Sequence, residues 1–288
     1  MTSLTPLVQC VPNFSEGRDL GVVKAIVDAA RVLGNVRVAD WSADVDHNRM
    51  VLTLIGEPTD TLRAVLAAAA VAVELIDLNA HDGVHPRLGA LDVLPFVPLA
   101  NITMDECAVL ARTAADELWR LHRVPIYLYE CASPVARTLP AIRKGAFTEF
   151  RPDIGGPEPH PTAGSSVVGA RGPLVAFNAN LETDDLQIAK RIAGLVRSQY
   201  SGRVRALGLA LPSRGATQVS MNVIDPAQTD IVSVIAYIEA HAHITDCELI
   251  GALPGYNAFE SVRSALRVAN LKPGQIITET WPSGDFDA

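Results

Sequence analysis

The stretch VRVADWSADVDHNRMVLTLIGEPTDTLRAVLAAAAVAVELIDL, residues 36–78, decides the fold prediction. Its runs Val36–Trp41 and Met50–Ile55 predict two short strands, and the Asp- and Asn-rich segment between them predicts a turn. A helix is then predicted from about Asp60 to Leu78. Its Ala-rich apolar run, Ala64–Val73, is too short to cross a membrane and therefore indicates a buried helix. Two strands followed by a helix form the centre of a βαββαβ unit.

The flanking elements complete this unit in the first half of the chain. They are a strand at Leu7–Pro12, a helix at Asp19–Leu33 with Gly34 at its end, a strand at Leu91–Val97, a helix from the Thr103–Glu106 capping box to about Leu121, and a strand at Ile126–Tyr129. Thr and Glu at that spacing satisfy each other's free backbone N–H groups, which marks a helix start. Ile126–Tyr129 is the last clear strand of this half.

A second series of elements follows a Pro- and Gly-rich loop between Phe150 and Gly164, whose prolines forbid a continuous helix or a central strand. They are a strand at Leu174–Phe177, a helix at Asp184–Arg197, strands at Val204–Leu211 and Gln218–Ile224, a helix at Pro226–His241, a strand at Glu248–Leu253 and a helix at Phe259–Val268. Both halves thus predict an α+β layer, each an antiparallel sheet with helices on one face. Packing the two uncovered sheet faces together would form a cleft or tunnel, and such interfaces commonly bind ligands.

Composition limits the class of protein. The chain has 288 residues, 49% of them hydrophobic and 19% charged, which indicates a globular protein of about two domains. A net charge of -8 gives no basic field for nucleic acid or a membrane, so an anionic substrate requires a local cluster of arginines. The four cysteines contain no C-x-x-C pair, and no secretory signal is visible at the N-terminus. We therefore expect a cytoplasmic protein with reduced thiols and no metal.

The loop from His81 to Pro98 is the densest cluster of polar and special-backbone residues. Its glycines and Pro86 exclude the continuous helix that an HExxH zinc site needs, and they hold an imidazole on an unusual backbone path. Histidine titrates near neutrality, so His85 is the candidate acid/base group. Arg87 is placed to bind a carboxylate and Asp92 to orient the ring. The residues alone leave open that the two histidines of this loop only cap backbone carbonyls.

Three weaker signals are compatible with function but also with ordinary structure. The turn Asp44–Arg49 contains His47, and the run Gly164–Gly172 resembles a backbone cradle for an anion, although it lacks the P-loop pattern. Gln218, Ser220 and Asn222 alternate along one strand face, which suits a polar cleft wall or an exposed edge strand.

Collinear motifs cover nearly the whole chain. They are Cys10-Val11-Pro12-Asn13-Phe14-Ser15-Glu16-Gly17, Asn48-Arg49, the segment His81-x-Gly83-x-His85-Pro86-Arg87-x-Gly89-Ala90-x-Asp92-Val93-x-Pro95-Phe96-x-Pro98, Leu139-Pro140-Ala141-Ile142-Arg143-x-Gly145, Pro152-Asp153-x-Gly155, His160-Pro161-Thr162-Ala163-Gly164, Gly169-Ala170-Arg171, Ala176-Phe177-Asn178-x-Asn180-Leu181 and Gln218-Val219-Ser220-x-Asn222. With these motifs the chain resembles the formiminotransferase domain of the glutamate formimidoyltransferase family.

The resemblance implies a folate-dependent transferase of histidine breakdown, which moves a formimino group from N-formimino-L-glutamate to N5 of tetrahydrofolate. It implies two ferredoxin-like (βαββαβ) subdomains, here residues 1–173 and 174–288, with their sheet faces packed across a substrate tunnel. The histidine of the His-Pro-Arg motif is the catalytic residue of the family and corresponds to His85. The residues assigned to folate are Gly155, Gly156, Pro157, His160, Pro161, Thr162 and Gly164. Those expected to bind substrate are Arg49, His81, Arg87, Asp92 and Arg171.

The resemblance also implies a homodimer and a separate cyclodeaminase, because the cyclodeaminase domain fused in animal members has no counterpart in this sequence. One departure concerns the donor: many relatives carry Glu before His-Pro-Arg, whereas this chain has Val84. Three alternatives therefore stay open. They are the same fold with another one-carbon donor such as formylglutamate, a non-catalytic folate-binding protein, and a metal-dependent hydrolase using His47, His81, His85 and Asp92.

Overall fold

The computed structural model describes residues 5–32, 35–224, 226, 228–254, 268–272 and 275–277. The chain forms a seven-stranded sheet, a four-stranded sheet and a short two-stranded parallel pairing, with helices packed on the two larger sheets. The predicted α+β class is therefore confirmed. No helix in this described part of the chain is long and apolar enough to cross a membrane.

The first half holds the larger sheet. Its elements are β1 (Leu7–Cys10), β2 (Asn13–Phe14), α1 (Leu20–Arg31), β3 (Val36–Asp44), β4 (Arg49–Gly56), α2 (Pro58–Leu75), β5 (Leu91–Ala100), α3 (Met104–His122), β6 (Ile126–Glu130), α4 (Leu139–Gly145) and β7 (Ser166–Ala170). The strands β1 and β2 lie end to end between β4 and β5, and β3 pairs with the other side of β4. The capping box predicted at Thr103 and Glu106 is present and starts α3. Gly34, the residue predicted to end the first helix, lies outside the described residues.

Three expectations for this half are wrong: its last strand, its wholly antiparallel pairing and the anion cradle. Ile126–Tyr129 is not its last strand, because β7 pairs with both β5 and β6, and both pairings are parallel, so the sheet is mixed rather than antiparallel. The Gly164–Gly172 run is thus mostly a central strand and not an anion cradle. All residues of β7 are buried, as is usual for a parallel strand covered on both faces.

The second half follows the predicted order of elements. They are β8 (Val175–Leu181), α5 (Leu186–Gln199), β9 (Val204–Leu211), β10 (Ala216–Val223), α6 (Ile231–Glu239) and β11 (Ile244–Ile250). The sheet order is β11-β8-β10-β9 and all pairings are antiparallel. Two boundaries differ: α6 begins at Ile231 instead of Pro226, and the last strand of the sheet starts earlier than predicted. The helix predicted at Phe259–Val268 lies outside the described residues except for Val268. The two-stranded pairing joins β12 (Leu253–Pro254) to β13 (Ile276–Ile277).

Alternation along the strands separates a helix-covered face from an open one. In β4, Met50, Leu52 and Leu54 are fully buried in the core with the helices, whereas Arg49 and Val51 line a cleft. The strands of the second half divide similarly, except at Met221, which belongs to the core and also lines the cleft. The other cleft-lining residues of these strands are Ala176, Asn178, Arg205, Ser220, Asn222, Glu248 and Ile250. Residues from both of the larger sheets therefore line one cleft.

Candidate active site

The cleft between the halves has a volume of about 280 Å³, close to the lower end of small-molecule sites. Five arginines line it: Arg49, Arg143, Arg171, Arg205 and Arg214. The acidic residues that line it are Asp44 and Glu248. The cleft is therefore locally positive in a chain of net charge -8, which is the local arginine cluster that an anionic substrate requires.

The backbone of the loop His81–Arg87 is hydrogen-bonded to the turn that follows β3. The amide of Val84 donates to the carbonyl of Asp46 at 3.0 Å, and Asn48 Nδ2 donates to the carbonyl of Asp82 at 2.9 Å. Asn48 adopts a left-handed φ of 46°, which Asn tolerates better than most residues. A Cβ at Gly83 would lie 2.5 Å from the carbonyl oxygen of His47, so only glycine permits this close approach. The two segments form one rigid support.

His85 stands on the cleft wall at the end of this support. Its Nδ1 lies 2.8 Å from the carbonyl oxygen of Pro86, and because a carbonyl only accepts, Nδ1 carries the ring proton. The neutral ring then has its lone pair on Nε2. Burial lowers the pKa of His85 well below its ordinary value, and the charges of Arg49 and Arg143 lower it further. At neutral pH the ring is therefore an unprotonated base.

A second imidazole lies beside it. The ring centroids of His47 and His85 are 5.9 Å apart, and His47 is only 8% exposed. Nε2 of His47 is buried and has no hydrogen-bond partner among the described residues. Burial lowers the pKa of His47, Asp44 raises it, Arg49 lowers it, and Glu248 and Asp46 raise it. His47 is thus also neutral, and charges of both signs lie around it.

Two arginines and one carboxylate form a buried group that we call the cationic cluster: Arg49, Asp92 and Arg143. Oδ2 of Asp92 accepts from Arg49 at 2.6 Å and from Arg143 at 2.7 Å, and its Oδ1 accepts from the amide of Leu88 at 2.6 Å. Burial raises the pKa of Asp92, but the two guanidinium groups outweigh it and bring the pKa to about 2. The cluster keeps one excess positive charge, and Arg143 Nε is buried with no hydrogen-bond partner in the part of the chain that the structure describes.

The opposite arrangement, which we call the acidic cluster, consists of Asp44, Arg214 and Glu248. Arg214 donates to Glu248 at 2.6 Å and lies 3.4 Å from Asp44, so one arginine faces two carboxylates. This contact joins the two halves of the chain. A second link is the carboxylate of Asp46, which accepts from the amide and the hydroxyl of Ser213 at 3.0 and 2.6 Å.

Of the residues predicted to bind substrate, the structure brings Arg49 and Arg171 to the cleft together with His85. Arg87 instead contacts the ring of His81 and donates to the carbonyl of His85 at 2.8 Å, so it stabilises the conformation of the loop. The ring of His81 faces a separate shallow groove. Asp92 is fully buried behind the arginines and accepts hydrogen bonds from them, not from the His85 ring.

The segment predicted to bind folate lies elsewhere. Gly155 packs on the ring of Trp119 in α3, and the carbonyl of Thr162 accepts from the amide of Leu78 near the end of α2. Gly164 pairs with Gly89 and so supports the start of β5. None of the residues 155–164, all of which are described, lines the cleft.

Sequence reasoning did not select four residues that line the cleft: Arg143, Arg205, Arg214 and Glu248. Of these, Arg143 had a signal, because it lies in a quoted family motif. His47, which also lines the cleft, was named only as part of the polar turn before β4 and as a ligand of the hydrolase alternative. Ser220 and Asn222 line the cleft as their alternation suggested, whereas Gln218 is fully buried. Within the described ranges, no three His, Cys, Asp or Glu side chains are grouped so that they could hold a metal ion.

A locally positive cleft of this size suits a small anionic molecule, and an unprotonated imidazole in its wall suits proton transfer, so the class is an enzyme of small anionic substrates. Comparison with known proteins makes this specific. The family model described as the formiminotransferase domain, N-terminal subdomain, matches residues 7–171. The chain therefore belongs to the formiminotransferase family, as its motifs predicted.

Full-length relatives are consistent with this assignment. A glutamate formimidoyltransferase of Streptococcus pyogenes serotype M1 is 37% identical, and the match covers 93% of this chain and 96% of that protein. A glutamate formimidoyltransferase of Thermoplasma acidophilum is 34% identical over 94% of this chain and 96% of that protein. A formimidoyltransferase-cyclodeaminase of Rattus norvegicus is 36% identical, and the match covers 87% of this chain but 51% of that protein.

Proposed function

We propose that this chain is a glutamate formimidoyltransferase, which moves the formimino group of N-formimino-L-glutamate to N5 of tetrahydrofolate with His85 as general acid/base. The observation that carries the proposal is the position of His85 in the wall of an arginine-rich cleft, in a chain that matches enzymes of that name over almost its whole length. The enzyme class predicted from the sequence is the class by which these relatives are named.

The tautomer and the pKa of His85 support its role. Nε2 holds the free lone pair, so it takes up the proton that N5 loses as the bond from N5 to the formimino carbon forms. His85 then returns this proton to the glutamate nitrogen as the bond from that nitrogen to the carbon breaks. One proton moves from N5 to the departing amine, and the ring ends as it began. Burial, and after it the positive charges of Arg49 and Arg143, keep the pKa of His85 low, so the ring is unprotonated at neutral pH and can accept this proton.

The cationic cluster is suited to bind a donor carboxylate. It carries one excess positive charge beside His85, and both of its arginines line the cleft. A carboxylate of the substrate would supply the missing negative charge and accept hydrogen bonds from a guanidinium group. We therefore propose Arg49 and Arg143 as carboxylate ligands, Arg171 as a third positive group of the cleft, and Asp92 and Arg87 as residues that position the others.

Four further parts of the proposal follow from the family. The subdomains are residues 1–173 and 174–288 with ferredoxin-like topology, which is supported by the order β11-β8-β10-β9 of the second sheet. The cleft is part of a substrate tunnel. The enzyme is a cytoplasmic homodimer, and a separate cyclodeaminase uses its product. The roles of His81 and of residues 155–164 in substrate and folate binding stay predictions, because these residues lie away from the cleft.

A spectroscopic assay with tetrahydrofolate and formiminoglutamate tests the proposal on wild type, His85→Ala and His243→Ala. His243 is a matched control, because its ring is 63% exposed and does not line the cleft. We expect turnover by wild type and by the control, and a loss of at least about 100-fold in kcat for His85→Ala. Full activity in His85→Ala would refute the role of His85. Folate binding without transfer from any donor would instead indicate a binding protein.

A further inference from the structure

The loop that carries His85 is hydrogen-bonded to a neighbouring turn, residues 45–48, which joins β3 to β4. The side chain of Asp82 is 86% exposed and Val84 is 38% exposed, so the burial of these side chains does not hold the loop in place. The carbonyl of Asp46 in the turn instead accepts from the amide of Val84 at 3.0 Å, directly beside His85. The position of His85 therefore depends on the position of this turn.

The second half of the chain contacts the same turn through a segment that we call the hairpin tip. This tip is Pro212–Arg214, a single turn of 3₁₀ helix between β9 and β10, which Gly215 ends at a left-handed φ of 58°. The amide of Ser213 donates to Asp46 Oδ1 at 3.0 Å, and its hydroxyl donates to Asp46 Oδ2 at 2.6 Å. Asp46 is only 8% exposed, and both of its carboxylate oxygens accept from this one residue. Two bonds to a charged acceptor are strong and fix the geometry of the contact.

Asp46 thus links the second half of the chain to the loop that carries the candidate base. Its side chain is bound by the hairpin tip, and its carbonyl binds the residue that precedes His85. Neither Asp46 nor Ser213 lines the cleft, so an effect of either on the reaction has to act through other residues. The strands of the same hairpin carry Arg205 and Asn222, which do line the cleft. The contact at the tip therefore sets the position of His85 relative to the opposite wall of the cleft.

We propose that Asp46 and Ser213 are positioning residues, through which the second half of the chain aligns the His85 ring for proton transfer. This inference rests on the proposed function, because it concerns the step assigned to His85. In that step Nε2 of His85 has to lie within hydrogen-bond distance of two substrate nitrogens in turn, so a small displacement of the ring is costly. Without the contact at the hairpin tip, the ring keeps its chemistry but loses its alignment with a substrate bound between the halves.

Steady-state kinetics with formiminoglutamate and tetrahydrofolate test the inference on Asp46→Ala, Ser213→Ala, Asp46→Asn and Lys272→Gln. Asp46→Asn is the conservative variant, because its side chain still pairs with both the amide and the hydroxyl of Ser213. Lys272 is the matched control: its Nζ also joins the halves, 3.1 Å from Asp40 Oδ1, but it neither contacts the turn nor lines the cleft.

We expect kcat to fall at least about tenfold in Asp46→Ala and about threefold in Ser213→Ala, with both KM values within about twofold of wild type. Asp46→Asn and Lys272→Gln should keep kcat within about twofold, because the first retains the hydrogen bonds and the second breaks a link that does not reach His85. A merely structural contact would lower stability in the control as well and would not separate kcat from KM.

A second measurement does not depend on turnover. In protein labelled with ¹⁵N at histidine, the ring signals of His85 are assigned by their absence in His85→Ala, and we expect them to shift in Ser213→Ala but not in Lys272→Gln. Unchanged kcat in Ser213→Ala and Asp46→Ala, an equal loss in the control, or a loss of kcat with unmoved His85 signals would overturn the inference. If wild type transferred no formimino group while the His85 signals still moved, the proposed function would fail and the positioning contact would stand.

Discussion

Replacing Asp92 by Asn tests the role of the cationic cluster, which lies next to His85 in the candidate site. Asp92 is fully buried, and one of its oxygens accepts from two guanidinium groups at 2.6 and 2.7 Å. Asn keeps the shape and one acceptor oxygen, but it removes the negative charge. Arg49 and Arg143 then lie side by side in the protein with no opposite charge between them. The loss should appear in both stability and catalysis.

The magnitude follows from burial. Breaking a buried ion pair by removing one partner costs about 3–5 kcal/mol, because the remaining charge stays buried without compensation. The pKa of Asp92 gives a second figure: a decrease from 3.8 to about 2 on folding corresponds to about 2 kcal/mol of stability at neutral pH. Because the Asp92→Asn side chain retains one acceptor oxygen, we expect a loss near the lower end, about 2–4 kcal/mol.

Urea unfolding at neutral pH measures this loss, and Asp82→Asn is the matched control. Asp82 also pairs with an arginine, Arg18, at 2.6 Å, but its side chain is 86% exposed, so water and salt screen the pair. The two variants make the same chemical change, and they differ in burial and in the number of paired arginines, which is two for Asp92 and one for Asp82. Equal losses in the two variants would refute the reasoning, because burial would then contribute nothing.

The pH dependence gives an independent check of sign. The pKa of Asp92 is lower in the folded than in the unfolded chain, so its contribution to stability is complete above the unfolded value of 3.8 and is lost as the pH falls towards about 2. The difference in unfolding free energy between wild type and Asp92→Asn should therefore shrink across that window. A difference that stays constant from neutral pH to about pH 2 would contradict a charge-based role.

Three more predictions concern the surroundings of the site. Arg143→Gln removes a positive charge near His85 and raises the pKa of that ring, so the acid limb of the kcat/KM profile should move by roughly one unit to higher pH; an unmoved limb would argue against this charge effect. Gly83→Ala places a Cβ 2.5 Å from the carbonyl of the neighbouring turn, and steady-state kinetics should show kcat reduced by about tenfold or more. Asp46→Ala removes the hydrogen bonds to Ser213 between the halves, and urea unfolding should show a loss of about 2 kcal/mol, whereas an unchanged midpoint would contradict this link.

Local patterns predict much of this fold because they report local physics. The capping box at Thr103, the alternation in β4 and the helical spacing in α1 each depend on neighbours within a few residues. The strand β7 lacked such a signal. It is five residues long, buried throughout and paired in parallel with strands distant in sequence, so it shows no alternation and follows no turn.

The candidate site likewise contains residues that local sequence patterns predict and residues that they do not. His85 could be selected from its own segment, since Gly83 and Pro86 mark an unusual backbone beside it. The cationic cluster could not, because Arg143 meets Asp92 across 51 positions of sequence. Proximity in sequence was also misleading for His81, whose ring faces another groove although it lies four positions from His85. Contacts of this kind depend on the packing of whole elements, which local patterns do not encode.

The incomplete pairing of the two clusters connects stability with function. A second carboxylate near Arg143, or a second arginine near Glu248, would give the protein alone a better-paired cleft and so a lower free energy. It would also remove the excess charges that a ligand with both a carboxylate and a cationic group could neutralise. Functional sites are often less stable than their surroundings for this reason. Within this family, substitutions that complete either cluster should therefore stabilise the chain while weakening its binding of the donor.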